Sequence, residues 1–497
     1  MFFTPLPPIR WRASFGAGRR LDRPPGRLYG GGCLDAPIPV APAISGKSAR
    51  RLALRARHLP FMVRRNYTHE MRSAATYPLA AALAEGAFTG IVATKYFHAG
   101  PTLLAVITAA PMFGNIIALF WAELARSRRM VPLVNWLQLG VLSSIAAVAL
   151  TRPLPVEIGG WVFAALIVMA RVMASGIVTV RSTIWRYNYP RQLRGQIVGR
   201  ISAIATATLA AATFFGSIWL DRRPDAYVYL YPAAAAVGAV GIWQFSRIRV
   251  RHERSLLRRE VQQVYTLRPE NVAETDEANV LNFVPRAAVT VRRFLIDSTR
   301  VLREDRRFAH YQWWQFLNGA SFMLMTPPLV FMVSREMTDP RGQYLLATIV
   351  LQLVPMVVSV LTVGFWSPIF DRSHILAFRG YQSVVSIAAH ATMWIGAVVN
   401  QLWVVAAAQA MVGVSNSAGN LAWNLGHNDF ARKEDATAYM GVHVMLTGLR
   451  GFIAPFIGAW LFAGGIAGRN VFAVSTAMAL AAGIGFWWMA WRRGRPG

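Results

Sequence analysis

The chain has 497 residues, 55% of them apolar and only 15% charged, with a mean hydropathy of +0.36. Soluble domains carry about 25% charged residues, so a soluble globular protein is excluded and the apolar excess calls for a lipid solvent. A net charge of +29 would point to nucleic acid in a soluble protein, but here the basic residues flank apolar runs, where they act as topology signals, and no nucleic-acid partner is expected.

Residues 1–61 contain no apolar run long enough to span a membrane and are rich in Arg, Pro and Gly, so they read as a disordered extension. No apolar stretch precedes a small-residue cleavage site, which excludes a secretory signal. The stretch is either an Arg-rich, acid-poor transit-type peptide or lies upstream of the true start, with Met62 or Met71 opening the mature chain. From residue 74 the chain becomes a series of apolar stretches of about 20 residues, the helix length that crosses about 30 Å of hydrocarbon. Twelve spans are expected, at 74–95, 101–121, 131–151, 159–180, 198–220, 228–246, 309–333, 343–366, 375–398, 402–425, 438–463 and 470–491. They are too long and too continuously apolar for barrel strands, so the fold class is an all-α polytopic membrane protein.

Connections after even-numbered spans hold Arg126, Arg128 and Arg129, then Arg181, Arg186, Arg191 and Arg194, then Arg372 and Arg379, then Arg432 and Lys433. Those after odd-numbered spans hold fewer, among them Lys95, Arg335, Arg341 and Arg469. The positive-inside rule places both termini in the cytoplasm, with 247–308 as a basic cytoplasmic loop and 493–497 as a short basic tail. Within the loop, Val291, Phe294, Leu295, Val301 and Leu302 recur at helical spacing opposite Arg292, Arg293 and Arg300, a pattern that suits either a helix on the inner leaflet or a solvated linker helix. A lone cysteine, Cys33, excludes an intrachain disulfide framework and a cysteine-based metal site.

Internal self-similarity is the most informative feature. Trp161 to Gly216 lies on Trp403 to Gly458 without a gap at an offset of 242 residues, matching Trp161 with Trp403, Met169 with Met411, Ser175 with Ser417 and Gly199 with Gly441. The same offset pairs Leu103-Leu104-Ala105 with Leu345-Leu346-Ala347, and Phe120-Trp121 falls near Phe365-Trp366. Two six-helix halves in the same orientation follow, 62–246 and 309–492, joined by the basic loop.

Twelve helices in parallel six-helix repeats, with a long central loop and both termini inside, resemble the major facilitator superfamily. The family's hallmark between helices 2 and 3 is a Gly-x-x-x-Asp-Arg motif with further basic residues. The second-half copy, Ser367-Pro-Ile-Phe-Asp371-Arg372, keeps the Asp-Arg pair with Ser in place of Gly; the first-half copy around Glu123 and Arg126 is one residue short and lacks the aspartate. The resemblance makes Asp371, Arg372 and Arg126 gating-loop candidates and implies that helices 1, 4, 7 and 10 line a central cavity.

A charge at the bilayer centre costs at least about 2.5 kcal/mol, so each one needs a partner or a cavity. Glu85 lies mid-span 1 and Arg171 mid-span 4, where the resemblance has them face each other. On the functional reading Glu85 gains and loses a proton as access alternates; on the other reading the two form a permanent structural pair. Asn416, Asn420 and Asn424 stand on one face of span 10 at i, i+4 and i+8, as substrate contacts or as interhelical hydrogen bonders, and Asn115 in span 2 invites the same two readings. Arg450 in span 11 replaces an uncharged counterpart, Thr208, an asymmetry that suggests an anion or carboxylate site. His443, two turns before it, makes a proton-sensitive pair with Arg450 or is simply hydrogen-bonded. His390 belongs to a peripheral helix and reads as structural. Gly441, Gly451 and Gly458 with Pro455 suggest close packing or bending of span 11.

Span 4 matches the family's antiporter motif only loosely, and span 5 lacks a Gly-Pro signature, so an efflux-pump label is unsupported. No P-loop, serine triad or zinc pattern is present, which argues against ATP-driven transport, against an enzyme and against any cofactor. The expectation is a secondary transporter of the bacterial inner membrane, working by alternating access and driven by protons, with a small anionic or zwitterionic substrate. The competing readings are an uncoupled facilitator and a non-transporting sensor or scaffold that signals through the 247–308 loop.

Overall fold

The computed structural model describes residues 61–125, 128–251, 298–431 and 436–493, with isolated positions between 252 and 297. The expected N-terminal extension, Arg126, Arg432, Lys433 and most of the amphipathic stretch, including Val291, Phe294 and Leu295, lie outside the described residues.

The described chain is helical. Before the central gap come α1 (Phe61–Ala74), α2 (Tyr77–Ala81), α3 (Gly86–Lys95), α4 (Pro101–Ala125), α5 (Met130–Ala147), α6 (Val156–Asn188), α7 (Arg191–Arg222) and α8 (Tyr227–Phe245). After it come α9 (Arg306–Phe331), α10 (Tyr344–Thr348), α11 (Val354–Arg372), α12 (Ile375–Val398), α13 (Leu402–Leu425), α14 (Ala436–Ala463) and α15 (Val471–Arg493). Among the described residues, eight helical stretches are long and apolar enough to cross a membrane by length and composition.

Spans 1, 4 and 5 depart from the expected shape. Span 1 is not continuous, because α2 tightens into a 3₁₀ turn at Ala82–Ala84 and the chain breaks before α3. Spans 4 and 5 lengthen into α6 and α7, of 33 and 32 residues; at 1.5 Å per residue each runs about 50 Å, well beyond about 30 Å of hydrocarbon. Arg181 and Arg186, expected in a connection, are therefore helical, while Arg194 turns back to donate to the Arg186 and Tyr189 carbonyls at 2.8 and 3.0 Å, closing the C-terminus of α6. Pro155 and Pro190 sit immediately before the two helices, where a missing N–H costs nothing.

Sequence expectation placed Val301 and Leu302 on a surface helix. They instead pack against a buried cluster built around Phe308, Tyr311 and Phe378. Asp305 fixes this entry, its carboxylate accepting from the Phe308 N–H at 2.9 Å and from the Tyr439 hydroxyl at 3.0 Å.

The repeat has a structural counterpart in matched packing. Helix α4 lies against α6 as α11 lies against α13, α5 against α8 as α12 against α15, and α4 against α14 as α7 against α10. Trp121 donates its indole N–H to the Val172 carbonyl at 3.1 Å, and Trp366 donates to Val414 at 3.0 Å. Ser175 and Ser417 donate to the same two carbonyls, at 2.7 and 2.9 Å. The flanking Phe120 and Phe365 meet their Trp rings edge-on at 5.3 Å in both places.

Gly458 shows why small residues sit in α14. A Cβ there would fall onto the Leu324 backbone carbonyl of α9, an atom that cannot move aside. Gly458→Val should separate α9 from α14 and lower stability by about 3 kcal/mol or more, read as a fall in thermal unfolding temperature in detergent; an unchanged temperature would show that the helices are free to part.

The core is continuous at one end only. One buried cluster runs from Leu83, Phe88 and Phe97 through Phe163 and Tyr231 to Leu329, Tyr344 and Phe472, joining helices before and after the central gap. At the other end of the second set, Phe308, Trp366, Phe378 and Phe486 form a separate cluster, and Val63, Tyr67, Tyr189 and Ile201 form another in the first set.

Candidate functional site

The break in span 1 creates the site. Glu85 is extended (φ −133°, ψ 149°) and Gly86 has φ +69°, a left-handed conformation that disfavours any Cβ, and a Cβ there would also meet Gln352 Oε1. The freed backbone groups are met from other helices, as lipid-depth backbone must be. The Leu83 carbonyl accepts from the Thr89 and Tyr231 hydroxyls, both at 3.2 Å, and the Phe88 N–H donates to Gln352 Oε1 at 2.9 Å. Gln352 itself lies in a π-helical turn, Ile349–Leu353, between α10 and α11, the kind of helix irregularity often found at functional positions.

A cavity of about 360 Å³ opens beside this break. Gly86 and Thr89 of α3, Thr108 and Pro111 of α4, and Arg171 of α6 line one side; Met325 of α9 and Gln409 and Asn416 of α13 line the other. Arg171 Nη1 lies 3.1 Å from Glu85 Oε2, with the carboxylate side chain 41% exposed and the guanidinium side chain 18%. Both side chains of the pair are therefore partly exposed, the carboxylate more than the guanidinium.

Of the other expected site residues, Asn416 lines the cavity, and Asn420 and Asn424 are exposed on the same helix, Asn424 donating to the Asn420 carbonyl at 2.7 Å. Asn115 turns back along α4 toward Met112 Sδ at 3.5 Å and is not among the cavity-lining residues. Arg450 and His443, expected as substrate-site candidates, are buried off the cavity between α14 and α9: Arg450 Nη1 donates to the Gln315 carbonyl at 2.6 Å and His443 Nδ1 bonds Gln312 Oε1 at 3.1 Å. Asp371 and Arg372 are exposed at the end of α11 and neither forms an ion pair among the described residues. The carboxylate that caps the next helix there is Asp429, accepting from the Ile375 N–H at 2.7 Å. His390 is buried and satisfied on both nitrogens, by the Ser386 carbonyl at 2.7 Å and Ser321 Oγ at 3.2 Å.

Sequence reasoning missed a set of contacts, called the seal below, that ties the ends of α3 and α7 to the stretch around α10. Lys95, counted as a connection charge, is 3% exposed and donates to the Ser334 carbonyl (3.0 Å), Thr338 Oγ1 (2.9 Å) and the Asp339 carbonyl (2.6 Å). Asp221 at the end of α7 accepts from the N–H groups of Tyr344 and Leu345, the latter at 3.1 Å, capping α10. Ser217 and Thr348 hydroxyls meet at 2.7 Å. No motif marks these residues, because their partners come from more than a hundred positions away.

The seal also holds a titratable contact. Arg335 Nη1 reaches His98 Nδ1 at 2.8 Å, and since arginine only donates, the imidazole nitrogen must accept and the ring must be neutral. Burial, then the charges of Arg335 and Arg341, push His98 below its usual value of 6.5. A folded-state value below the unfolded one means that the contact is intact above about pH 6.5 and is lost as pH falls through the folded value. Acidification should therefore loosen the seal, seen as faster maleimide labelling of Gly100→Cys in a Cys33→Ser background, and His98→Gln should flatten that dependence. Labelling equally slow from pH 7.5 to 5 would remove His98 from the seal.

No curated protein matches this chain. Among solved structures it is similar to nucleoside transporter NupG (TM-score 0.56, 10% identity, 86% of this chain and 99% of that chain covered). It is also similar to a POT family transporter (TM-score 0.60, 12% identity, 88% and 98% covered) and to the xylose transporter XylE from E. coli (TM-score 0.57, 9% identity, 85% and 94% covered). These likenesses establish the fold. The sequence profile of the Major Facilitator Superfamily matches residues 75–455, a region that contains the broken helix, the cavity and both copies of the tryptophan lock, and this multi-pass membrane protein belongs to that superfamily of transporters.

Proposed function

We propose that this chain is a proton-coupled secondary transporter that moves a small anionic or zwitterionic molecule across the bacterial inner membrane by alternating access. In this reading the helices make twelve spans in two six-helix halves, 62–246 and 309–492, which rock about the central cavity. Both termini are cytoplasmic by the distribution of arginines, so the seal around Lys95 and Asp221 faces outward and the cavity is reached from the cytoplasm. The observation that carries the reading is the Glu85–Arg171 pair, 3.1 Å apart at a helix break beside the cavity. An acid that must be ionised to hold Arg171, and protonated to release it, links proton binding to the freedom of a cavity-lining cation. A substrate carboxylate can then replace Glu85 on Arg171, with Asn416 and Gln409 supplying neutral polar contacts from the second half.

The test is proton movement in liposomes reconstituted with the protein while a panel of metabolites is added. A compound-dependent proton signal supports coupled transport and names the substrate class. Counterflow of a compound without any proton signal would select the uncoupled facilitator, and silence from folded protein across the panel would favour a non-transporting member.

A further inference from the structure

Two buried arginines and a buried histidine lie in the second set of helices, away from the central cavity. Arg379 of α12, Arg450 of α14 and His443 of α14 are 2%, 6% and 2% exposed, and none of them lines the cavity beside Glu85. Arg379 Nη1 donates to Gln382 Oε1 at 2.6 Å, and Gln382 Nε2 in turn donates to the Ser415 carbonyl of α13 at 3.1 Å. On the same helix, the Trp423 ring stands 5.5 Å from His443, so α13 packs against both the partner of Arg379 and His443. The charges of Arg379 and Arg450 act on each other and on His443.

The polar accounting of this group does not close. Arg379 Nε and Nη2, Arg450 Nε and His443 Nε2 are buried without a hydrogen-bond partner. The acceptors left unmet on the facing helix α9, Gln315 Oε1 and the Tyr311 hydroxyl, are neutral, so neither supplies a counter-charge to the arginine N–H groups. No described acid pairs with either arginine: Asp305 is held by Phe308 and Tyr439, Asp429 by Ile375, and Glu336 by Arg469. Two guanidinium ions withdrawn from water without a counter-charge carry a heavy desolvation penalty, and a water molecule would satisfy N–H groups without neutralising charge.

We infer that Arg379 and Arg450 form a site for a small oxyanion, a phosphate-, sulfate- or carboxylate-type group, inside the second half and separate from the transport cavity. Guanidinium forks match planar and tetrahedral oxyanions through paired N–H donors, and the occupant braces α9, α12 and α14 against one another.

The experiment is thermal unfolding of the purified full-length protein in detergent, with sodium phosphate, sulfate or acetate exchanged for sodium chloride at equal ionic strength. A saturable rise in Tm of a few degrees is expected with at least one oxyanion. Phosphate or sulfate acting alone identifies an inorganic occupant, and acetate acting alone identifies the carboxylate of an organic one. Arg450→Lys should raise the half-saturating concentration about tenfold, Arg379→Gln should abolish the effect, and Arg171→Gln in the central cavity should retain it. The inference fails if Tm in the wild-type protein is the same in all salts, if the rise survives in Arg379→Gln, or if Arg171→Gln removes it. Because the wild-type salt series and Arg450→Lys decide the matter, a variant that does not fold leaves the test intact.

Discussion

Glu85→Gln should abolish proton-driven accumulation of substrate while leaving substrate exchange across the membrane in place. Glutamine keeps the shape of the carboxylate and can still accept a hydrogen bond from Arg171, so the 3.1 Å contact survives as a neutral one. What disappears is the carboxylate charge on which the proposed coupling depends. One pH unit corresponds to about 1.36 kcal/mol per proton, so a carrier coupled to one proton sustains about tenfold accumulation across a gradient of one unit. The variant should equilibrate substrate to a ratio near one, with rates that no longer follow pH. Arg171→Gln should be the more damaging change, because it leaves Glu85 at the break without its cation and removes the positive wall of the cavity. Wild-type accumulation and an unaltered pH profile in Glu85→Gln would assign the pair to structure and move the weight to an uncoupled carrier.

Asp221→Ala should shift the resting population toward the state in which the seal is open. The Asp221 carboxylate takes the N–H groups of both Tyr344 and Leu345 across the contact between α7 and α10, at a helix N-terminus that favours negative charge. Hydrogen bonds to a charged group contribute about 1.5–3 kcal/mol each, so losing two of them moves a two-state equilibrium by a factor on the order of 10² or more. The Lys95 and Ser217 contacts remain, which should keep the sealed state detectable. Distances between spin labels placed at the ends of α7 and α10 report the shift; a distribution identical to wild type would mean that the carboxylate is a local cap and not a latch. Asp221→Asn should fall between the two, since the amide oxygen still accepts while the charge is gone.

Membrane embedding, the helical class, the internal repeat and family membership were all legible in the residues, because each depends on local composition or on the chain compared with itself. The apolar runs set the helices, the 242-residue offset paired Ser175 with Ser417 and brought Trp121 near Trp366, whose matching carbonyl contacts the structure shows, and the energetic cost of a charge at mid-membrane depth singled out Glu85 and Arg171. Depth along a helix can be read from sequence; direction around it cannot when the helix is apolar on every side and no polar stripe marks the outward face. That ambiguity made Arg450 and His443 candidates for substrate contact, whereas the packing of α14 against α9 buries them off the central cavity. The break at Glu85–Gly86, its rescue by Gln352, and the role of Lys95 and Asp221 as a seal were decided by tertiary structure alone. Each rests on a hydrogen bond between residues more than a hundred positions apart, and such a bond exists only once the helices have packed.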